Sequence, residues 1–346
     1  MNSVAKGLRS TVAGPVASLL LAVVIISLTT NRFLDPGNIK NLALEVAVVA
    51  IIAIGSTLVI VTGGIDLSPG SNVALTTCML AILVKNEGLP LSVGMLLILV
   101  LGAGLGFING FLSTYGRLPS FIVTLATLSV YRGLAFLVTN GSPIFSVSPD
   151  LNTVFYGSLF GVPLPFFYVL ILYTLAAVFL RHTITGRAIY AVGGNESAAR
   201  LSGIRVHRTR LIAFVLAGVM SAIGGLLTAA QLDSGSPNYG QGLELSAIAA
   251  AVIGGASLAG GYGNVVFTLF GAMTVAVVQN GLDLKAVPTA YQEITLGVII
   301  VLAVALDMWR ADIGRGITRV SHLLPFADRA EQSARQAERM ETQPKR

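Results

Sequence analysis

The sequence predicts an all-α polytopic membrane protein with about ten transmembrane helices and both termini in the cytoplasm. Of its 346 residues, 54% are hydrophobic and only 11% are charged, whereas about a quarter of the residues of a soluble domain are charged. The chain therefore has too few charges to cover a surface that faces water. Its apolar residues form stretches near the 20 residues that cross a bilayer, and its basic residues flank such stretches in blocks.

Ten apolar segments are predicted to span the membrane, and five of them have a proline near their start, where a helix tolerates it. The third and eighth segments are short and flanked by glycine. One transmembrane domain over 14–307 is therefore expected, between an N-terminus at 1–13 and a polar tail at 308–346. The segments cover 14–30, 42–62, 68–84, 90–114, 119–139, 163–180, 211–231, 243–259, 263–280 and 289–307.

The distribution of lysine and arginine gives the expected orientation. Loop 181–210 carries six arginines and the chain after Trp309 carries eight basic residues, whereas 140–162 and 232–242 carry none. Basic loops remain in the cytoplasm. Loop 181–210 and both termini are therefore predicted inside, and 140–162 and 232–242 outside.

Several function classes lack the residues that they need. The net charge of +6 comes from basic blocks beside apolar spans, which indicates membrane orientation and not nucleic-acid binding. A single cysteine, Cys78, excludes an intramolecular disulfide and a cysteine-based zinc site, and the three histidines have no metal-ligand spacing. A phosphate-binding loop and a nucleophile–base pair are both missing from the sequence. No catalytic residue, metal or cofactor is therefore predicted.

The segment Gly63–Ser71 is the first candidate site. Its glycines permit an irregular backbone, and Ser68 before Pro69 is typical of a helix start. Irregular backbone at membrane depth is tolerated where it is buried in protein or lines a wet cavity, so Asp66 is predicted to bind free backbone N–H groups or a solute hydroxyl there. An ordinary cytoplasmic turn is the alternative. Together with two polar residues of the spans, the predicted translocation pathway comprises Asp66, Ser68, Asn109 and Asn280.

The second candidate is a short helix at 196–202 within the basic loop. Asn195 is a good N-cap, Glu196 and Arg200 suit the first and last turns, and Gly203 can end the helix in the left-handed conformation. Two helical turns are unstable alone, so this helix is expected to dock on the protein itself or on a partner. A solvated loop is the alternative. The third candidate, the small-residue stretch 244–261, is interpreted as close helix packing.

Four strings resemble the permease subunits of bacterial ribose-type ABC importers, whose members also serve xylose, arabinose and galactose. The strings are GGIDLSPGS (63–71), LPSFIVTLATLSVYRGLA (118–135), GRAIYAVGGNESAARLSGI (186–204) and AIAAAVIGGASLAGGYG (247–263). Two departures from the pattern are Pro69, where many members have Val, and Ser246, where many have Asp. The second departure removes a carboxylate on the outer side.

The resemblance implies a multi-pass protein of the bacterial plasma membrane that imports a monosaccharide without making or breaking bonds itself. It also implies three protein partners: a second permease subunit, a cytoplasmic ATPase subunit and a periplasmic sugar-binding protein. By the resemblance, the ATPase-coupling residues are Gly193, Gly194, Asn195, Glu196, Ala198, Ala199, Arg200 and Gly203. A secondary transporter or channel that works alone is the alternative function, but the sequence has few of the intramembrane coupling groups that it needs.

Overall fold

The computed structural model describes the backbone of residues 2–322 and the side-chain environment of residues 14–305. By its internal contacts the chain divides into two units, Met1–Val301 and Leu302–Arg346. The described residues form α1 (Asn2–Thr29), α2 (Pro36–Val61), α3 (Pro69–Ala81), α4 (Leu91–Thr114), α5 (Ser120–Thr139), α6 (Pro149–Tyr156), α7 (Leu164–His182), α8 (Ile184–Gly194), α9 (Glu196–Leu201), α10 (Val206–Leu232), α11 (Leu243–Ile253), α12 (Val265–Leu284) and α13 (Thr289–His322).

Each of the ten predicted segments contains a helix, but the helices differ in length. Six of them are long and apolar enough to cross a membrane: α2, α4, α5, α7, α10 and α12. The apolar stretches Gly14–Thr29, Leu243–Ile253 and Thr289–Ala305 are shorter, and α3 has 13 residues followed by a π-helical turn at Ile82–Asn86. The prediction of a helical membrane protein is therefore confirmed. Among the described residues, six of the ten predicted spans contain a helix long enough to cross a membrane by itself, and the count of ten stays a prediction.

Three details of the described residues differ from the sequence prediction. Helices α6 and α8 were not predicted, and α13 continues 15 residues beyond the predicted end of its span, to His322. Four two-residue strands are also present: β1 (Ile144–Phe145), β2 (Ser158–Leu159), β3 (Val162–Pro163) and β4 (Ser234–Gly235). The polar tail beyond residue 322 lies outside the described residues.

Helix α2 forms the core of the first unit. It is apolar on every face, which is typical of a helix surrounded by protein, and 89% of its most apolar stretch is buried. It packs against α7, α10, α11 and α12. In contrast, only 28% of the corresponding stretches of α4 and α5, and 22% of that of α7, are buried. Most apolar side chains of these three helices are therefore exposed at the surface of the protein, where lipid can contact them.

Glycines bring α4 close to α10. Gly102, Gly106 and Gly110 recur every four residues and share one face of α4. A Cβ on Gly102 would lie 2.6 Å from the carbonyl oxygen of Gly218, and a Cβ on Gly110 would lie 3.0 Å from Cβ of Phe214. This spacing is the small-residue pattern through which membrane helices approach each other.

Two short helices begin inside the protein, after irregular backbone. Residues 62–68 connect α2 to α3, and residues 236–242 lead into α11. The starts of α3 and α11 meet, because a Cβ on Gly70 would overlap both the Glu244 carboxylate and the Gly240 carbonyl oxygen. Irregular backbone of this kind is tolerated at membrane depth only where protein or a wet cavity surrounds it.

The connecting segments fall into two groups. Strand β1 pairs with β4, and the Asp233 carboxylate accepts a hydrogen bond of 3.0 Å from Val147 N, so the loops after α5 and α10 lie at one end of the helices. At the other end, Gly261 N donates to Val61 O at 2.8 Å and Tyr190 OH donates to Gly263 O at 2.9 Å. The arginine-rich loop 181–210 therefore lies opposite the two loops that lack lysine and arginine.

Candidate functional site

The break between α2 and α3 holds Asp66 in a buried position, with 3% of its surface exposed. Its Oδ1 accepts hydrogen bonds from Ser68 N at 2.9 Å and from Ser68 Oγ at 2.7 Å. Ser68 directly precedes α3, as predicted, but its side chain does not cap the helix, because the hydroxyl is turned toward Asp66. The prediction that Asp66 binds a free backbone N–H group is confirmed.

A polar network extends from Ser68 into α4 and α5. Asn109 Nδ2 donates to Ser68 Oγ at 2.8 Å, and Tyr131 OH donates to Asn109 Oδ1 at 3.3 Å. Asn72 Nδ2 also approaches Ser68 Oγ, at 3.3 Å, and its Oδ1 is buried without a partner among the described residues. The structure therefore joins Asp66, Ser68 and Asn109, and it adds Asn72 and Tyr131, which the sequence interpretation left out.

The first turns of α5 hold the backbone of the break. Ile65 N donates to Ser120 Oγ at 3.0 Å, and Thr124 Oγ1 donates to Ile65 O at 3.2 Å. Side chains of α5 therefore replace the hydrogen bonds that a regular helix would give this residue. Movement of α5 relative to α2 would break these bonds and change the position of Asp66.

Asn280, which was predicted to lie in the same translocation pathway as Asp66, does not belong to this hydrogen-bonded network, and its role in the pathway stays a prediction. Its amide exchanges two hydrogen bonds with Asn38, of 2.9 and 3.0 Å. Asn38 lies in the first turn of α2 and Asp66 follows the last turn. A 26-residue helix separates them by about 39 Å. The Asn38–Asn280 pair joins α2 to α12.

The start of α11 brings together charged groups that lie far apart in the sequence. Arg132 lies in α5, and its guanidinium donates to the carbonyl oxygens of Pro237, at 2.6 Å, and Tyr239. It thereby fixes the loop that precedes α11. Glu244 Oε2 is buried beside Gly70, without a hydrogen-bond partner in the described part of the chain.

Ser246, the second departure from the family pattern, is 2% exposed. Gln279 Nε2 of α12 approaches its hydroxyl at 3.4 Å. The hydroxyl thus forms a long neutral hydrogen bond between α11 and α12. A carboxylate at this position would make a stronger, charge-assisted bond.

The basic loop contains two consecutive capped helices. Thr183 Oγ1 accepts from Gly186 N at 2.9 Å and caps α8, and Asn195 Oδ1 accepts from Ala198 N at 2.9 Å and caps α9. Helix α9 ends at Gly203, which has a φ of +81°. There Gly203 N donates to Arg200 O and Ile204 N to Ala199 O, both at 3.0 Å, which is the Schellman arrangement. Both predicted caps of the short helix are confirmed.

Glu196 connects α9 to the start of α10. Its carboxylate forms ion pairs with Arg200, at 2.8 Å, and Arg210, at 2.9 Å. The hydrogen bond from Arg200, with a further contribution from Arg210, holds the pKa of Glu196 below its ordinary value. Arg200 therefore already has a carboxylate partner within the chain.

The two alanines of α9 face opposite ways. Ala199 is 4% exposed and packs with Val192 and Val206 in a small apolar cluster, so its side chain faces the protein itself. Ala198 is exposed, and Leu201 has 90% of its surface exposed. Ile184, at the start of α8, is 81% exposed and was not singled out from the sequence. These three apolar side chains lie on the exposed sides of α8 and α9, which we call their outer surface.

Gly193 joins α8 to the glycines that follow α2 and α11. A Cβ on Gly193 would overlap the Val61 carbonyl oxygen and come within 2.5 Å of Gly261 N, and a Cβ on Gly260 would come within 2.9 Å of Gly63 Cα. We call this backbone-to-backbone cluster of Val61, Gly63, Gly193, Gly260 and Gly261 the glycine node. It links the helices of the basic loop directly to the break that holds Asp66.

These features define a class of protein: a polytopic helical membrane protein with irregular breaks between helices in its interior and short helices with exposed apolar side chains in its basic loop. Broken helices and midplane polar groups are typical of transporters. Among the described residues there is no cluster of three or more potential metal ligands.

The chain belongs to the family described as "Branched-chain amino acid transport system / permease component", which it matches over residues 38–304. It is 41% identical to the ribose import permease protein RbsC of Bacillus subtilis over 300 residues, 85% of this chain and 92% of the relative. It is 42% identical to RbsC of Escherichia coli K12, over 84% of this chain and 91% of the relative. It is 34% identical to the xylose transport system permease protein XylH of E. coli K12, over 87% of this chain and 93% of the relative. No solved structure matches the chain.

Proposed function

We propose that the chain is the membrane-spanning permease subunit of an ATP-driven importer and that it carries a pentose or a related monosaccharide. The family name refers to branched-chain amino acids, but the relatives named above carry ribose and xylose in their names and are covered over more than nine tenths of their length. Their similarity over nearly the whole membrane domain favours a sugar. The protein is a multi-pass protein of the bacterial plasma membrane and is not itself an enzyme.

The proposed topology has ten spans over 14–307 with both termini in the cytoplasm. Its support is the separation of the loops: 181–210, with six arginines, lies at the opposite end from 140–162 and 232–242, which have no lysine or arginine. Basic loops remain in the cytoplasm. The short helices α3 and α11 are then half-spans that begin in the protein interior, where their first residues meet.

The proposed partners are a cytoplasmic ATPase subunit, an extracytoplasmic sugar-binding protein and a second permease subunit. The ATPase docks on the outer surface of α8 and α9, where Ala198 and Leu201 are exposed. Helix α9 has six residues, too few to be stable without packing, and the Ala199 cluster and the ion pairs of Glu196 fix it to the protein on its inner side. Its outer side remains free for a partner.

The glycine node is the observation that carries the proposed mechanism. Displacement of α8 by the ATPase is transmitted to the end of α2, because Gly193 leaves no space between the two backbones. The break that follows α2 then moves with it, and with it the network of Asp66, Ser68 and Asn109. In this proposal the network positions sugar hydroxyls or closes the pathway, and the other ATPase-coupling residues shape α9.

Uptake by cells tests the substrate. Cells with and without the gene should be compared for uptake of labelled ribose, xylose and leucine at micromolar concentration. The proposal expects one of the two pentoses to depend on the gene and leucine to be unaffected. Gene-dependent uptake of leucine alone would favour the substrate in the family name.

A further inference from the structure

A second recognisable surface lies at the basic end, beside α9. A cleft of about 290 Å³ is lined by Tyr115, Arg200, Arg205, His207 and Arg208, together with the apolar Ile204 and Val206. We call it the basic cleft. Arg200 is paired with Glu196, but Arg205 and Arg208 form no ion pair with any described residue. No carboxylate lines the cleft, so it presents two uncompensated positive charges.

A row of aromatic rings leads from the membrane into this cleft. Phe107, Phe111 and Tyr115 follow one another at intervals of four residues along α4, with ring centroids 5.8 and 5.4 Å apart. Tyr115 packs in turn on His207 of the cleft, at 5.4 Å. Each of the three α4 rings has between 45% and 47% of its surface exposed. We call these three residues the aromatic stripe.

The depth of the stripe follows from the length of α4. Its 24 residues extend over about 36 Å, compared with about 30 Å for the hydrocarbon core of a bilayer. Tyr115, which directly follows the last residue of α4, therefore lies at the level of the lipid headgroups, where tyrosine is enriched. Phe111 and Phe107 lie about one and two turns further into the hydrocarbon region, respectively.

We propose that the basic cleft binds the phosphate of an anionic phospholipid and that one acyl chain of this lipid lies along the aromatic stripe. Arg205 and Arg208 supply the charge that recognises the phosphate, as basic pockets at the ends of membrane helices do. Free phosphate would use the same arginines but would leave the stripe without a role. An acidic protein segment would also be attracted by the two arginines, but it would not extend into the hydrocarbon region along the aromatic stripe.

The test uses the full-length protein, stripped of lipid in detergent and titrated with dioleoyl phosphatidylglycerol while native mass spectrometry counts bound lipid. The double variant Arg205→Gln/Arg208→Gln removes both unpaired charges of the cleft. The matched control, Arg181→Gln/Arg187→Gln, removes two exposed charges of the same loop that do not line the cleft. We expect about 30-fold weaker phosphatidylglycerol binding for the cleft variant and less than about a twofold change for the control.

A second variant tests the acyl chain separately. Phe111→Ala should weaken binding of dioleoyl phosphatidylglycerol about fivefold through lost apolar contact, while binding of glycerol phosphate stays unchanged. Phosphatidylcholine, which has no net charge, should bind weakly to every variant. Circular dichroism and a single monodisperse peak confirm that each variant is folded.

Three results would overturn the proposal. Equal losses in the cleft and control variants would mean that net charge alone attracts the lipid. Inorganic phosphate that binds as tightly as phosphatidylglycerol would make the cleft a site for a free anion. A cleft variant that retains phosphatidylglycerol but no longer co-purifies with the ATPase subunit would assign the arginines to a protein contact.

Discussion

Replacement of Gly193 by alanine tests the glycine node most sharply. The new Cβ would overlap the Val61 carbonyl oxygen and would lie 2.9 Å from the carbonyl carbon of that residue. Since both obstacles are backbone atoms, no side-chain rotation relieves the overlap. The neighbouring Gly194 provides a matched control, because its added Cβ would meet only Gly261 Cα, at an ordinary 3.9 Å.

The expected destabilisation follows from two effects. Overpacking of a well-packed interior costs about 1–3 kcal/mol, and displacement of the Gly261–Val61 hydrogen bond, of 2.8 Å, adds about 1 kcal/mol. The sum, about 2–4 kcal/mol, corresponds to a melting temperature lowered by roughly 4–8 °C for a chain of this size. Gly194→Ala should leave the melting temperature within about 1 °C of the wild type, because it creates no overlap.

Size-exclusion chromatography of heated, detergent-solubilised samples measures these melting temperatures. Sugar uptake by the same variants reports whether movement of α8 reaches α2. Gly193→Ala should lose most of the uptake, while Gly194→Ala, which creates no overlap, should lose much less. If the two variants have the same stability and the same uptake, the backbones at the node are not in close contact and the proposed route from α8 to α2 is wrong.

Three further predictions concern the break and the basic loop. Asp66→Ala should reduce uptake while the protein still inserts, because it leaves two buried donors of Ser68 unpaired, at a cost of about 1–3 kcal/mol; Asp66→Asn retains an acceptor oxygen, so it should keep the melting temperature, and normal uptake by the alanine variant would remove Asp66 from the pathway. Ala198→Trp should weaken co-purification of the ATPase at an unchanged melting temperature, whereas Ala199→Trp should lower the melting temperature; equal behaviour would contradict the opposite orientations of the two alanines. Glu196→Gln should destabilise the loop by no more than about 1 kcal/mol, since the ion pairs of Glu196 are partly exposed. The pKa of Glu196 is lowered in the folded protein, so the stabilisation by its ion pairs is present above the ordinary carboxylate pKa. The difference in melting temperature between the variant and the wild type should therefore disappear as the pH falls through the folded-state pKa.

The sequence was sufficient to predict where helices form and how the short helix α9 ends. Long apolar runs need internally satisfied backbone in a membrane, so each run contains a helix. The caps at Asn195 and Gly203 depend on local chemistry, which neighbouring residues specify. For the same reason the irregular segment before Pro69 was recognisable from its glycines.

Contacts between distant segments could not be predicted in the same way. The pairing of Asn280 with Asn38 spans 242 residues, and a polar residue in an apolar run does not indicate which helix its side chain faces. Ala198 and Ala199 are the same type of residue. A helix of six residues is too short for a periodic pattern that would indicate which of the two is buried. Hydropathy also did not show where α3 and α11 end, since the residues that follow each helix within the predicted segments are apolar or small. The threonine cap of α8 was the one available signal for that helix.

We propose that this chain forms a sugar pathway driven by an ATPase partner. The most direct test is uptake of the labelled pentose into proteoliposomes that contain the chain, its ATPase subunit and the sugar-binding protein, with ATP or a non-hydrolysable analogue on the ATPase side. We expect the sugar to accumulate, and this accumulation should require ATP hydrolysis, the binding protein and this chain together. Accumulation driven by an ion gradient in the absence of the ATPase subunit would contradict it and would identify the chain as a transporter that works alone.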